Sequence, residues 1–298
     1  MKVFCDWSGG KESCLSCYKA MLLALFTLVF FFVSFTCAFS FPSSPHLPRR
    51  IVSLIPTVTE ELYLLGAGDK IVGVTVYCQR PPEAQTKEKV GTVIDVNIEK
   101  IIELRPNLVI ASPLTDHKQI RKLRNLDIEV KIFPEARDFD GLCKNFVTLS
   151  RLLGREQKAE EIVQKARIEL GAIKNAIAGF AKSRVFVQIG ANPLFTAKRD
   201  SFINDLIECA GGINMGRDAK TGIYSREEVI KRNPEIILIV TMGIVGEKEK
   251  EVWLRYKTVT AAKNRSIFTV DSYSVCSPTP LSFVETVKEF VRIFHAQQ

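Results

Sequence analysis

The chain has 298 residues, of which 46% are hydrophobic and 25% are charged, and this balance excludes a disordered or collagen-like protein. The formal net charge is +8, but basic and acidic residues alternate along predicted helices, as over 156–174, which argues against a nucleic-acid-binding stripe. The three histidines lie outside any catalytic triad or metal motif. The sequence therefore predicts no catalytic residue, metal site or cofactor.

A short glycine-rich loop lies within residues 1–20. Residues 8–13 (SGGKES) follow a predicted strand and precede a predicted helix, where backbone N–H groups can bind phosphate. The loop resembles that of the PP-loop ATP pyrophosphatases, and the segment is similar to the start of the family that includes diphthine–ammonia ligase. An apolar segment interrupts the likeness at Met21, so the α/β domain that would position the loop is missing. We interpret 1–20 as a non-functional remnant, with a start at Met21 as the alternative. A PP-loop ATP-dependent ligase is the opposing functional class.

Residues 21–41 form an uncharged apolar run. The run reaches the roughly 20 residues that cross a bilayer. Ala38 and Ser40 also match the small-x-small pattern of a signal-peptidase site, and prolines follow directly. We interpret 21–40 as a signal peptide or a membrane anchor. Both interpretations place the remainder outside the cytoplasm, in the periplasm or on the extracellular face of the membrane.

Four cysteines follow the apolar run, without the spacing of a zinc site: Cys78, Cys143, Cys209 and Cys276. In an oxidising compartment they are compatible with one or two disulfides, and equally with buried free thiols.

From residue 50 onward, short apolar strands alternate with helices, which predicts an α/β fold with mainly parallel sheets. The first predicted lobe, 41–156, has strands over 51–54, 71–75, 108–111 and 130–133, with helices from Thr57, Asn97 and Gln119. Apolar residues at helical spacing predict one long helix over 157–180. The second predicted lobe, 181–298, has strands over 185–189, 236–240 and 266–270, and helices over 202–210, 226–231, 249–255 and 281–294.

Six segments past residue 50 match one protein family in order and spacing: 50–60 (RIVSLIPTVTE), 89–101 (KVGT followed by NIEKI), 104–111 (LRPNLVIA), 184–196 (RVFVQIGANPLFT), 207–214 (IECAGGIN) and 225–229 (SREEV). The chain thereby resembles the helical-backbone (class III) periplasmic solute-binding proteins of vitamin B12 and iron-chelate ABC importers, and in particular the vitamin B12-binding subgroup. The resemblance implies two α/β lobes joined by a single long backbone helix, with a ligand cleft between them. It also implies a monomer that binds a metal chelate and partners with an ABC permease and its ATPase subunits.

The resemblance, the positions of residues after strands and the charges of Arg80 and Lys198 together suggest site residues. Ligand contacts are expected at Tyr77, Arg80, Thr92, Val93, Phe195, Lys198 and Tyr273. Tyr77, Phe195 and Tyr273 follow predicted strands, and aromatic rings suit a flat macrocycle. Glu99 and Glu227 match acids that dock onto the permease, and each is also a first-turn acid favoured by the helix dipole.

Two departures from the subgroup keep other ligands open. Val93 stands where the subgroup has a tryptophan, and residues 221–224 lack another. Ferric siderophore and haem therefore remain alternatives to cobalamin. A membrane-anchored structural protein without a ligand is the third functional class.

Overall fold

A computed structural model describes residues 47–241 and 246–296. Leu47–Gln298 forms one compact unit. The remnant predicted over 1–20 and the signal peptide or anchor predicted over 21–40 lie outside the described residues. Within the described ranges, no helix combines the length and apolarity needed to span a membrane.

The first lobe is built on a five-stranded parallel sheet. Its strands are β1 (Ile51–Ser53), β2 (Ile71–Val74), β3 (Glu88–Lys89), β4 (Leu108–Ala111) and β5 (Val130–Ile132). Their spatial order is β3-β2-β1-β4-β5. Helices α1 (Pro56–Leu64), α2 (Ile98–Glu103) and α3 (His117–Asn125) accompany the sheet. Successive residues of β4 alternate between two apolar clusters, so helices cover both faces of the sheet.

Helices α4 (Phe139–Leu153) and α5 (Glu156–Ala176) follow the first lobe. Asp138 caps α4, because its Oδ1 accepts a hydrogen bond from the N–H of Gly141 at 2.7 Å. Gly154 ends α4 with a φ of 62°, which glycine adopts without steric cost. Helix α5 is the long helix of the predicted fold, and residues 177–179 form a turn instead of its last helical turn.

Both connecting helices contribute to the cores of both lobes. In the core of the first lobe lie Phe146 and Leu149 of α4, and Ala159 of α5. In the core of the second lobe lie Phe139, Leu142 and Cys143 of α4, and Ala166 and Leu170 of α5. The helices thus run in opposite directions between the two cores, since a two-residue link makes adjacent helices antiparallel.

The second lobe has a separate parallel sheet. Its strands are β6 (Ser183–Gln188), β9 (Gly212–Asn214), β10 (Ile236–Val240) and β11 (Ile267–Val270), in the order β11-β10-β6-β9. A small antiparallel hairpin, β7 (Gly190–Ala191) and β8 (Leu194–Phe195), extends beyond β6. The helices are α6 (Phe202–Cys209), α7 (Arg226–Arg232), α8 (Gly246–Leu254), α9 (Thr260–Lys263), α10 (Ser272–Cys276) and α11 (Pro280–Phe294).

The predicted fold class is confirmed: two α/β lobes have independent parallel sheets, with a long helix between them. The predicted limits of the lobes, 41–156, 157–180 and 181–298, stay predictions.

All four cysteines of the described ranges carry free thiols. Burial raises the pKa of Cys143 to about 11 and that of Cys209 to about 12, which keeps both as unreactive thiols. Of the two alternatives open in the sequence, these four residues have free thiols, of which Cys78, Cys143 and Cys209 are buried and Cys276 is half-buried.

Candidate functional site

Segments that follow the carboxyl ends of the parallel strands carry the aromatic residues predicted to contact a ligand. Tyr77 follows β2, Phe195 lies in the hairpin after β6, and Tyr273 follows β11. In open α/β sheets, ligands bind outside the carboxyl ends of the strands. The fold therefore places these residues where a cleft site is expected.

Polar contacts join the two lobes at Tyr77 and Tyr273. The hydroxyl of Tyr273 donates a hydrogen bond to the backbone oxygen of Tyr77 at 2.7 Å. Arg80 forms an ion pair with Asp271, and its Nη2 lies 3.2 Å from the hydroxyl of Ser274. The guanidinium of Arg80 lies 5.4 Å from the centre of the Tyr273 ring. These five residues, called the inter-lobe latch below, bring three predicted ligand residues together.

Local structure fixes both sides of the latch. In the second lobe, Asp271 caps α10 and accepts hydrogen bonds from the N–H and hydroxyl of Ser274 at 2.9 and 3.0 Å. In the first lobe, the buried Cys78 anchors the loop, because its Sγ accepts a hydrogen bond from the hydroxyl of Thr59 at 3.1 Å. The side chain of Tyr77 stays 51% exposed. The loop is thus held by the side chain of Cys78 and the backbone oxygen of Tyr77, while the Tyr77 ring remains accessible to a ligand.

Opening the latch requires little free energy. The Arg80 and Asp271 side chains are 34% and 51% exposed, and ion pairs at such positions contribute about 0–1 kcal/mol. Burial is the main cause that raises the pKa of Tyr273, so its phenol keeps its proton and its donor role at neutral pH. A ligand can therefore replace these contacts at modest cost.

Two predicted contacts, Thr92 and Val93, lie in the turn between β3 and α2. The hydroxyl of Thr92 accepts a hydrogen bond from the N–H of Asp95 at 2.9 Å. The backbone oxygen of Val93 accepts one from the hydroxyl of Thr115 at 2.8 Å. This turn is not part of the latch, and the ligand contacts predicted for Thr92 and Val93 stay predictions.

Two further predicted contacts, Phe195 and Lys198, lie in the second lobe outside the latch. Phe195 is 39% exposed in β8 and forms an antiparallel bridge with Ile223. Lys198 lies 3.8 Å from the carboxylate of Asp200, an exposed pair. Phe195 is thus accessible to a ligand, whereas Lys198 has an anionic neighbour of its own.

Exposed apolar side chains at the strand ends were missed by sequence reasoning. They are Ile94 and Leu114 in the first lobe and Ile223 in the second, 61%, 57% and 51% exposed. Ile94 and Leu114 follow β3 and β4 in loops, which is the signal that could have identified them, whereas Ile223 forms a bridge with Phe195 of the hairpin. Together with Tyr77 and Phe195 they give both lobes apolar surface at the carboxyl ends.

The two predicted docking acids lie in the first turns of short helices. Glu99 is exposed in α2, and Glu227 is exposed in α7. A hydrogen bond from its own backbone N–H and another from Ser225 lower the pKa of Glu227, so it is ionised at neutral pH. Both side chains are available to a partner, and the docking role stays a prediction.

A polar network supports the carboxyl end of β6. The Nη2 of Arg226 and the side-chain N–H of Gln188 donate to one oxygen of Glu249 at 2.6 and 2.8 Å. The indole N–H of Trp253 donates to Gln188 at 2.6 Å. Burial raises the pKa of Glu249, but these hydrogen bonds outweigh burial and leave the pKa lowered. The network therefore contains an ionised carboxylate that is mostly shielded from solvent.

A cavity of about 220 Å³ lies between the lobes. The first lobe contributes Thr57, Glu61 and Phe133, and the second lobe contributes Phe202 and Ser277. Ser277 directly follows α10 of the latch. The cavity thus adjoins the latch and is lined by residues of both lobes.

Comparisons with known proteins agree with this architecture. A family model described as periplasmic binding protein matches residues 51–274. An uncharacterised ABC transporter substrate-binding lipoprotein, YvrC of Bacillus subtilis (strain 168), is 31% identical over 250 residues, which span 81% of this chain and 78% of that protein.

Two further similarities involve proteins with a described ligand. A vitamin B12-binding protein of Salmonella choleraesuis is 33% identical over 209 residues, or 68% of this chain and 77% of that protein. The crystal structure of a possible iron-binding, periplasmic solute-binding protein from Staphylococcus epidermidis has a TM-score of 0.73 at 30% identity. That similarity covers 83% of this chain and 98% of the other.

Proposed function

The chain belongs to the periplasmic binding protein family, and on this basis we propose that it is the extracytoplasmic component of an ABC importer that binds a corrinoid such as cobalamin. It is a solute-binding protein and not an enzyme. The relative from Salmonella choleraesuis that is described as a vitamin B12-binding protein supports the choice of ligand.

The inter-lobe latch is the observation that carries the proposal. Tyr77 of one lobe and Tyr273 of the other meet at the carboxyl ends of two separate sheets, and Tyr77 is 51% exposed. Aromatic rings bind the apolar faces of a flat macrocycle. The Arg80 guanidinium adds a donor for acidic or carbonyl groups at the edge of a ligand.

An iron chelate is the second candidate ligand. Val93 provides no aromatic surface where the B12-binding subgroup has a tryptophan, and the Staphylococcus epidermidis neighbour is described as possibly iron-binding. Ferric siderophore and haem therefore belong in the same binding test.

The proposed partners are an ABC permease and its ATPase subunits. Glu99 and Glu227 support this, because both are exposed, and Glu227 is ionised at neutral pH. Charged groups at an exposed rim steer partners into register.

Thermal unfolding of the purified full chain with cyanocobalamin, haemin or ferrichrome tests the ligand. A ligand that binds only the folded state, present at about 100 times its Kd, stabilises by about 2.7 kcal/mol. For a protein of this size, that raises Tm by about 5–10 °C. We expect this shift with cyanocobalamin.

Two other results would change the assignment. A shift with haemin or ferrichrome alone would retain the solute-binding role and replace the ligand. The absence of a shift with all three would contradict the corrinoid proposal and its iron-chelate alternative together.

A further inference from the structure

The cavity between the lobes contains a buried carboxyl group without a partner. Glu61 is only 2% exposed and lines the cavity. Among residues 47–241 and 246–296, its side chain has no hydrogen-bond or ion-pair partner. A carboxyl group that lines a cavity without a protein partner is available to pair with a polar group of a ligand.

Burial and the neighbouring acid Glu60 favour the neutral form of Glu61. Burial is the main cause that raises the pKa of Glu61 well above its ordinary value, and the neighbouring Glu60 adds to the rise. Glu135, an exposed side chain, is a further carboxylate at the cavity, whose described lining contains no lysine, arginine or histidine. A protonated carboxyl group has one O–H donor and one carbonyl acceptor side by side.

The rest of the cavity suits a small polar group on an apolar stem. Thr57 lies one helical turn before Glu61 and lines the same cavity. Much of the wall is apolar, including Phe133, Leu142 and Phe202. A volume of about 220 Å³ accepts one side group, whereas sites for whole drug-sized ligands occupy roughly 300–1,000 Å³.

We propose that this cavity is a subsite for a primary carboxamide of the ligand, held by a pair of hydrogen bonds to Glu61. The Glu61 O–H donates to the amide oxygen, and the amide N–H donates to the carbonyl oxygen of Glu61. The inference rests on the proposed function, because a corrin ring carries primary amides along its edge. One such side chain enters the cavity while the ring remains at the aromatic residues of the cleft.

Cyanocobalamin titrations of the full chain test the subsite. Glu61→Leu should raise Kd about tenfold, because it removes both hydrogen bonds. Glu61→Gln retains one donor and one acceptor, so its Kd should stay within about threefold of wild type. Glu160→Leu, at an exposed position of α5, is the matched control and should leave Kd unchanged. A Tm for Glu61→Leu at or above that of wild type establishes that the variant folds. Wild-type affinity in Glu61→Leu would overturn the subsite.

A fragment experiment separates the subsite from the proposed function. Propionamide, at millimolar concentration, should raise the Tm of the wild-type chain but not that of Glu61→Leu, whereas propylammonium and propionate should raise neither. Stabilisation by propylammonium in place of propionamide would overturn the amide assignment in favour of a cation. Binding of propionamide through Glu61 without any binding of cyanocobalamin would reject the corrinoid and retain the subsite. Cyanocobalamin binding without a Glu61-dependent effect of propionamide would reject the subsite and retain the corrinoid.

Discussion

Replacement of Glu61 by glutamine should stabilise the protein, and the gain should grow with pH. In the unfolded chain, Glu61 titrates near its ordinary value of 4.5, whereas burial in the folded protein raises its pKa well above that value. Between these two values, the folded state holds a proton that the unfolded state has released. Folding stability therefore falls as pH rises through this window. Below pH 4.5 the contribution of Glu61 is fully present, and it is lost as pH rises through the folded pKa.

The size of the effect follows from proton linkage. One proton bound only by the folded state changes the free energy of unfolding by about 1.4 kcal/mol per pH unit. Glutamine does not titrate, so the difference between Glu61→Gln and wild type should widen at about that rate and become constant above the folded pKa. Each 1 kcal/mol corresponds to about 2–4 °C in Tm for a protein of this size.

Urea unfolding of the full chain, from about pH 5 to about pH 8, measures this difference. The matched control is Glu160→Gln, whose exposed side chain in α5 should give a difference near zero at every pH. A stability difference for Glu61→Gln that does not change with pH would refute the reasoning, because it would mean that Glu61 titrates alike in the folded and unfolded states.

Three other substitutions test the cleft and its support. Tyr77→Ala should weaken cyanocobalamin binding by up to about tenfold. It should change the free energy of unfolding by less than about 0.5 kcal/mol, because the ring is 51% exposed. Calorimetric titration measures the affinity, with Ile168→Ala at an exposed position as the control, and an unchanged affinity would remove Tyr77 from the site. Tyr273→Phe removes the hydroxyl that donates to the Tyr77 backbone and should lower the free energy of unfolding by about 1 kcal/mol in a urea titration. An unchanged free energy of unfolding would mean that the latch is open in solution. Glu249→Ala leaves Arg226 without its carboxylate partner and should cost about 2 kcal/mol at neutral pH. Since the pKa of Glu249 is lowered in the folded protein, its contribution to stability is present above pH 4.5, the ordinary pKa value, and fades as pH falls through the folded pKa. An equal loss of stability on Glu249→Ala at neutral and at acid pH, measured by urea unfolding, would contradict an ionised Glu249 in the folded protein.

Elements with strong periodicity could be predicted from the sequence. The long helix predicted over 157–180 is observed as Glu156–Ala176, and the last helix predicted over 281–294 is observed as Pro280–Phe294. Apolar residues at helical spacing and capping residues are local signals, and both act within a few positions of each other.

Elements with weak local signals could not be predicted. Strand β9 consists of Gly212–Asn214, a three-residue stretch for which no strand was predicted. It is a strand because it pairs with β6, which is a tertiary contact. The hairpin of β7 and β8 has two residues per strand, too few for a periodic pattern.

The site was predictable residue by residue, but its arrangement was not. Tyr77, Arg80 and Tyr273 were expected at a ligand, and the structure brings them together over a separation of more than 190 positions. Asp271 was missed as the partner of Arg80, although its place before a helix is a recognisable capping signal. Glu61 was missed because its neighbours in sequence resemble an ordinary acidic first turn of a helix, and its burial beside the cavity is a tertiary feature.

Because α4 and α5 each contribute residues to both cores, they also determine how the protein unfolds. Phe146 and Leu149 hold one end of α4 in the first lobe, while Phe139 and Leu142 hold its other end in the second. Neither lobe can unfold without removing apolar side chains from the core of the other lobe. Heat should therefore dismantle both halves in a single cooperative transition, and one half expressed without its neighbour would lack part of its own interior.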